Sequence, residues 1–253
     1  MIEYQMVLIC LAAVIAETID SGLGMMYGTI LSPLLIMCGY SPSDVIPAIL
    51  FSQAIGGLIA TLGHHRHGNA DFRFMSDDFK IGAAIYLLGV VAVFMGAGLA
   101  MRIPKEWLQL YIGILVSIMG LIVICRHNFH FSWKKVMAIG FLSAFNKSLS
   151  GGGYGPLVSS GLIIAGTKGK NSIATCDFAE APICVTAFFV WAWMKNKYPD
   201  LNMLWALTIG SMVGGWIGPW GLSRIKTDGI VTTLVGWLAL GVGITCAFGI
   251  VKP

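Results

Sequence analysis

The sequence predicts an all-α, polytopic membrane protein made of two copies of one unit, and three observations carry that reading. Of 253 residues, 57% are hydrophobic and 11% charged, against roughly 25% charged in an average soluble domain. Apolar runs of bilayer-spanning length recur along the chain. Two of these runs are interrupted by the same glycine-rich pattern, 127 residues apart. Sixteen basic and twelve acidic residues are too few to cover a soluble protein of this length. The mean hydropathy of +0.80 excludes disorder. The net charge of +4 comes from scattered loop residues, without the basic stripe that nucleic acid requires.

A helical span takes about 20 apolar residues. Six segments fit, at about 45–63, 80–101, 107–125, 172–194, 204–222 and 230–250, separated by short polar loops. Two longer stretches do not fit as single spans. Residues 6–38 are interrupted by the polar run 17–24, and residues 136–165 by the run 146–153. Each half of these stretches is expected to be a helix of about 14 residues, roughly 20 Å long, and so short for a span. The chain begins Met1-Ile2-Glu3 with no basic region ahead of the first apolar run, which predicts that this run belongs to the fold and is not a cleaved signal. The six cysteines form no C-x-x-C pair and read as small buried hydrophobes.

The interrupted stretches are copies. At a shift of 127 residues, Ser21, Gly24, Tyr27, Gly28, Ser32, Leu35, Ile36, Gly39, Ile46, Phe51 and Ala54 fall on identical residues, 11 matches in the 34 positions from 21 to 54. Shared apolar composition does not produce the aligned Tyr-Gly pair or the common polar interruption. The chain divides into a first repeat, 1–127, and a second, 128–253. If each interrupted segment turns back to its own side, one set of loops carries ten Lys or Arg and the other five; if each is a single span, the split is nine to six. The positive-inside rule prefers the larger asymmetry. That choice makes the repeats inverted, with both termini on the outer face of the cell's inner (plasma) membrane.

Inverted repeats with broken helices are the architecture of secondary transporters, which bind substrate near the midplane at the breaks. Here Ser21, Gly22 and Gly24 precede one short helix, at about 25–38. Asn146, Ser148, Ser150, Gly151, Gly152 and Gly153 precede the other, at about 154–165. A helix N-terminus offers unpaired N–H groups and the positive end of the dipole, so two such ends meeting near a pseudo-twofold axis make a small-anion site. The competing reading is that these glycines only permit close helix packing. Tyr27 and Tyr154 open the two short helices and line the pathway or pack.

The run Ser150-Gly-Gly-Gly-Tyr-Gly-Pro156 and the loop His65-Arg-His-Gly-Asn-Ala-Asp-Phe72 make the chain resemble the TauE/SafE family of sulfite and organosulfonate exporters over nearly its whole length. The resemblance implies two repeats, no enzymatic activity, and transport of a small sulfur-containing or carboxylate anion. The first repeat departs from the fuller pattern, with Gly-Leu-Gly-Met-Met where a longer glycine run is usual.

Ionisable residues at membrane depth are costly and mark function. Lys147 lies 12 residues past Lys135, some 18 Å along a helix and near the midplane; its repeat partner is Asp20. Either Lys147 faces the anion, or it pairs with Asp20 and holds the repeats in register. Asp177 and Glu180 share a helix face, and the partner of Glu180 is the neutral Gln53. A titratable carboxyl replacing an amide in one repeat is the pattern of a proton-coupling site; a structural hydrogen bond, or a pair with Lys147, is the alternative. Glu17 is expected to cap a helix or face water. His64, His65 and His67 read as interfacial residues. No metal or cofactor is expected, and a homodimer stays open. An anion channel is one competing function. A serine hydrolase using Ser148 or Ser150 is another, with Lys147 as its one available base.

Overall fold

The computed structural model describes residues 2–100, 105–125, 130–150, 153–195 and 199–247. Every regular element among them is helical. α1 (Ile2–Leu23) is followed by a π-turn (Tyr27–Leu31) that runs into α2 (Ser32–Met37). Then come α3 (Pro42–Arg66), α4 (Asp77–Ala100), α5 (Lys105–Ile124), α6 (Trp133–Ser150), α7 (Tyr154–Ile164), α8 (Gly169–Lys195), α9 (Leu201–Arg224) and α10 (Asp228–Ala247). Among the described residues, six helices are long and apolar enough to cross a membrane: α1, α3, α4, α8, α9 and α10.

One expectation is corrected. The polar runs before the glycines are helix, not loop. α1 has 22 residues and is long enough by itself to cross the bilayer, and α6 continues through Asn146 and Lys147 to Ser150. Several of these polar groups are satisfied locally or against neighbours. The hydroxyls of Thr18 and Ser21 donate to the carbonyls of Val14 and Glu17, four residues back, at 2.7 and 2.6 Å, a form of bonding that keeps a hydroxyl inside a helix. The first break is confined to Gly24–Met26, with φ +80 at Gly24 and +130 at Met26. The second ends at Gly153, φ +77. Gly151 and Gly152 lie outside the described residues.

The halves interlock. α1 packs on α9 and α6 on α4, α3 lies against both α8 and α9, and α5 lies along α10. Several hydrogen bonds tie helix ends together on one face. Ser132 N–H donates to Ala165 O at 3.1 Å, so the start of α6 and the end of α7 lie side by side. The Asn171 amide on α8 reaches Asp78 on α4 at 2.8 Å, and the N–H groups of Gly169 and Lys170 donate to Asp228 on α10 at 2.9 and 3.0 Å. This face carries Lys134, Lys135, Lys168 and Lys170.

Polarity runs from inside to outside in the reverse of a soluble protein. Trp205, Ile209, Met212, Val213, Trp216 and Trp220 on α9 are exposed, while Glu17, Asp20, Gln53, His64, Asn146, Lys147, Asp177 and Glu180 are buried. Lipid accepts the first set. The second set costs free energy in an apolar interior unless each group is paired or used.

Candidate anion site

The two breaks meet. The Gly24 carbonyl accepts from Ser159 Oγ of α7 at 3.2 Å, and a Cβ built on Gly155 would stand 2.6 Å from that same carbonyl oxygen. Only glycine at 155 allows this approach. Beside the contact lies a small pocket lined by Asp20, Met26, Gly28, Thr29, Gln53, Lys147, Gly153, Tyr154, Gly155, Pro156 and Glu180.

Lys147 is buried and makes an ion pair with Glu180. Its ammonium also donates to Gln53 Oε1 at 2.7 Å, and the Gln53 amide donates to Glu180 Oε1 at 3.2 Å. Three helices (α3, α6 and α8) are thereby tied at the cavity wall. Lys147 is paired with Glu180 and not with Asp20, its repeat partner. Asp20 is otherwise engaged: its Oδ1 accepts the Tyr27 N–H at 3.1 Å.

That bond distinguishes the two breaks. The N-terminus beyond the first break is capped by the protein's own carboxylate. At the corresponding position the second repeat has Lys147, and the N-cap residue of α7 is Gly153, which has no side chain to cap the helix. An 11-residue helix thus presents its positive end, with a lysine in place of a carboxylate, at the cavity wall.

Of the residues singled out from sequence, Asp20, Gln53, Lys147, Gly153, Tyr154 and Glu180 line the cavity. Ser21, Gly22, Gly24 and Tyr27 do not. Ser21 Oγ bonds within α1 and to Gly214 O of α9 at 3.3 Å. Gly22 lies against Gly218 of α9. Tyr27 is an anchor, its hydroxyl 2.8 Å from Ser52 Oγ. The Tyr154 hydroxyl is buried without a hydrogen-bond partner among the described residues; its repeat partner's anchor, Ser52, corresponds to Ala179. Asn146 is buried on α6. The side chains of Ser148 and Ser150 lie outside the described part.

Two readings are overturned. Glu17 does not face water; it is buried against Gly56 of α3 and Gly214 of α9. His64 stands in the last turn of α3 but does not face solvent. It is fully buried, its Nε2 3.0 Å from Asp177 Oδ2 and its Nδ1 3.0 Å from Asn69 Nδ2. A sequence signal for His64 existed: it stands 11 residues after Gln53, three helical turns along the same face. The Cys176 sulfur and the Asp177 and Glu180 carboxylates lie within 4.8 Å of one another, a donor set with metal-ligand chemistry. Lys147 and His64 already supply counter-groups to the two carboxylates, so the set reads as a charge cluster.

An apolar exterior around a buried polar cavity, lined from two helix breaks, defines a membrane transporter. Residues 9–246 match the model of the family described as sulfite exporter TauE/SafE, and the chain belongs to that family. A relative is the "Probable membrane transporter protein YtnM" of Bacillus subtilis (strain 168), 22% identical over an alignment 248 residues long that covers 92% of this chain and 79% of that protein. No solved structure matches.

Proposed function

We propose that this chain is a proton-coupled secondary transporter that exports a small anion such as sulfite or an organosulfonate across the cell membrane. The observation that carries the proposal is the difference between the breaks. An anion at the first would displace Asp20 from the Tyr27 N–H, whereas the second has a glycine N-cap and Lys147 where the first has Asp20. Lys147 is held by Glu180, so an anion gains the ammonium when Glu180 takes up a proton and lets go. Buried charge supports the coupling. Among the described residues, the carboxylates Glu17, Asp20, Asp177 and Glu180 and one lysine, Lys147, are buried, an imbalance that a low-dielectric interior does not hold without protons or cations.

The same reading makes the repeats inverted and places both termini outside. Three observations support it: the shared face of the α6 start and the α7 end, the bond between Gln53 and its own repeat partner Glu180, and the lysines gathered on one face. Purified protein in liposomes, given labelled sulfite, sulfonates, sulfate and small carboxylates under imposed pH gradients, tests the proposal. Gradient-driven accumulation of one of these anions supports it. Flux that ignores the pH gradient removes the coupling, and flux that never exceeds equilibration makes the protein a channel.

A further inference from the structure

Loop residues 67–76 carry Asn69, which is buried together with His64. The hydrogen bonds fix the state of the histidine. Pro219 O can only accept, and Asn69 Nδ2 donates to it at 2.8 Å, which orients the carboxamide. The same Nδ2 faces His64 Nδ1, so Nδ1 is the acceptor and the ring proton is on Nε2, donated to Asp177 Oδ2. Asp177 and Glu180 in turn lie within 4.8 Å, and Glu180 holds Lys147 at the cavity. Hydrogen bonds thus run from Asn69 through His64 to Asp177, whose carboxylate lies within 4.8 Å of Glu180 at the pocket. The other repeat has no such line: Trp191 and Leu50 stand where His64 and Asp177 stand.

We propose that His64 and Asp177 are the proton relay between Glu180 and the water on the face bearing loop 67–76, with Asn69 as the group that admits the proton. This rests on the proton coupling proposed above. Asn69 turns its carboxamide oxygen toward the ring, and water delivers a proton to Nδ1. The imidazolium passes its Nε2 proton to Asp177 Oδ2, and Asp177 passes one proton through a single intervening water to Glu180, whose neutral carboxyl releases Lys147. One proton has moved from water to Glu180, and the ring proton has moved from Nε2 to Nδ1; ring rotation restores it. The groups facing the relay are Cys176 and Glu180 from α8, Glu17 and Asp20 from α1, Lys147 from α6 and Tyr154 from α7. The Ser21 main chain lies beside the His64 ring, α9 contributes the Pro219 carbonyl, and the loop adds the exposed His65–Asp71 pair at 3.7 Å.

The test separates proton-driven movement from exchange. In liposomes, His64→Gln keeps an N–H donor for Asp177 but cannot relay. The initial rate of pH-driven labelled sulfite accumulation is expected to fall about 100-fold, the scale of a lost acid–base group, while sulfite counterflow without a gradient stays near wild type. Loss of neither activity overturns the relay, and so does loss of both in a protein with unchanged melting temperature. If His64→Gln does not fold, Asp177→Asn carries the same measurement; failure of both to fold shows a structural tie and overturns the relay. A second arm needs no anion. In the ¹⁵N-histidine spectrum of the wild-type protein moved into D₂O, the His64 Nε2 proton is expected to exchange within the dead time, and protection for hours overturns the relay. Wild-type vesicles that move no sulfite refute that substrate, and the exchange arm then decides the relay by itself.

Discussion

Replacing Lys147 with methionine keeps the length of the side chain and removes the ammonium. In the structure that ammonium holds Glu180 and donates to Gln53 Oε1 at 2.7 Å. Without it Glu180 retains one donor, the Gln53 amide at 3.2 Å. Removing one partner of a buried ion pair costs about 3–5 kcal/mol, because the other charge is left uncompensated. At roughly 2–4 °C per kcal/mol for a chain of this size, the melting temperature in detergent is expected to fall by roughly 6–20 °C near neutral pH. The double variant Lys147→Met/Glu180→Gln is expected to regain most of the loss, as both partners of the pair are then neutral. A double variant no more stable than Lys147→Met would show that the ion pair is not what the lysine maintains. Anion flux is the second readout: it is expected to vanish in the single variant. Unchanged flux would remove Lys147 from the substrate path.

Gly155→Ala drives a Cβ against Gly24 O and separates the breaks; it is expected to cost about 1–3 kcal/mol, as overpacking does, and to abolish flux, checked by melting and liposome transport. Ser52→Ala removes the hydroxyl that anchors Tyr27 and should lower stability by about 1 kcal/mol, read as a melting shift. Ala179→Ser places a hydroxyl at the equivalent point of the second repeat, opposite the unpartnered Tyr154 hydroxyl, and should raise the melting temperature by roughly 2–4 °C; a fall would show that the repeats do not superpose there. Cys38 and Cys125 are both exposed, at the ends of α2 and α5. In variants keeping only one of them, a membrane-impermeant maleimide added to intact cells is expected to label Cys38 and to spare Cys125; the opposite pattern reverses the proposed orientation.

Much of the site was legible because buried charge is rare in a chain this apolar. Lys147, Glu180, Asp20 and Gln53 stood out by depth and by their pairing across the repeat, and the structure brings all four to one cavity. The lysine's actual partner was not legible, since the choice between Asp20 and Glu180 depends on which carboxyl the first short helix has already taken. His64 was lost to its neighbours. In a row with His65, Arg66 and His67 it reads as surface, and only the packing of α3 between α8 and α9 takes it out of solvent. The helix break was placed too early in both repeats, because a polar run inside an apolar stretch looks like a loop until hydroxyl back-bonding and buried pairing are known.

The capping of the first short helix by Asp20 bears on stoichiometry. Duplicating a unit that ends in an uncapped helix yields two positive helix ends, and so two places for an anion. Here the first is engaged by the Asp20 carboxylate, and the second begins at Gly153 with Lys147 in the place of that carboxylate. The expected count is therefore one anion per chain in each cycle, with a motion that differs between the halves. An Asp20→Ala chain, which frees the first position, would be the form in which a second anion first has somewhere to bind.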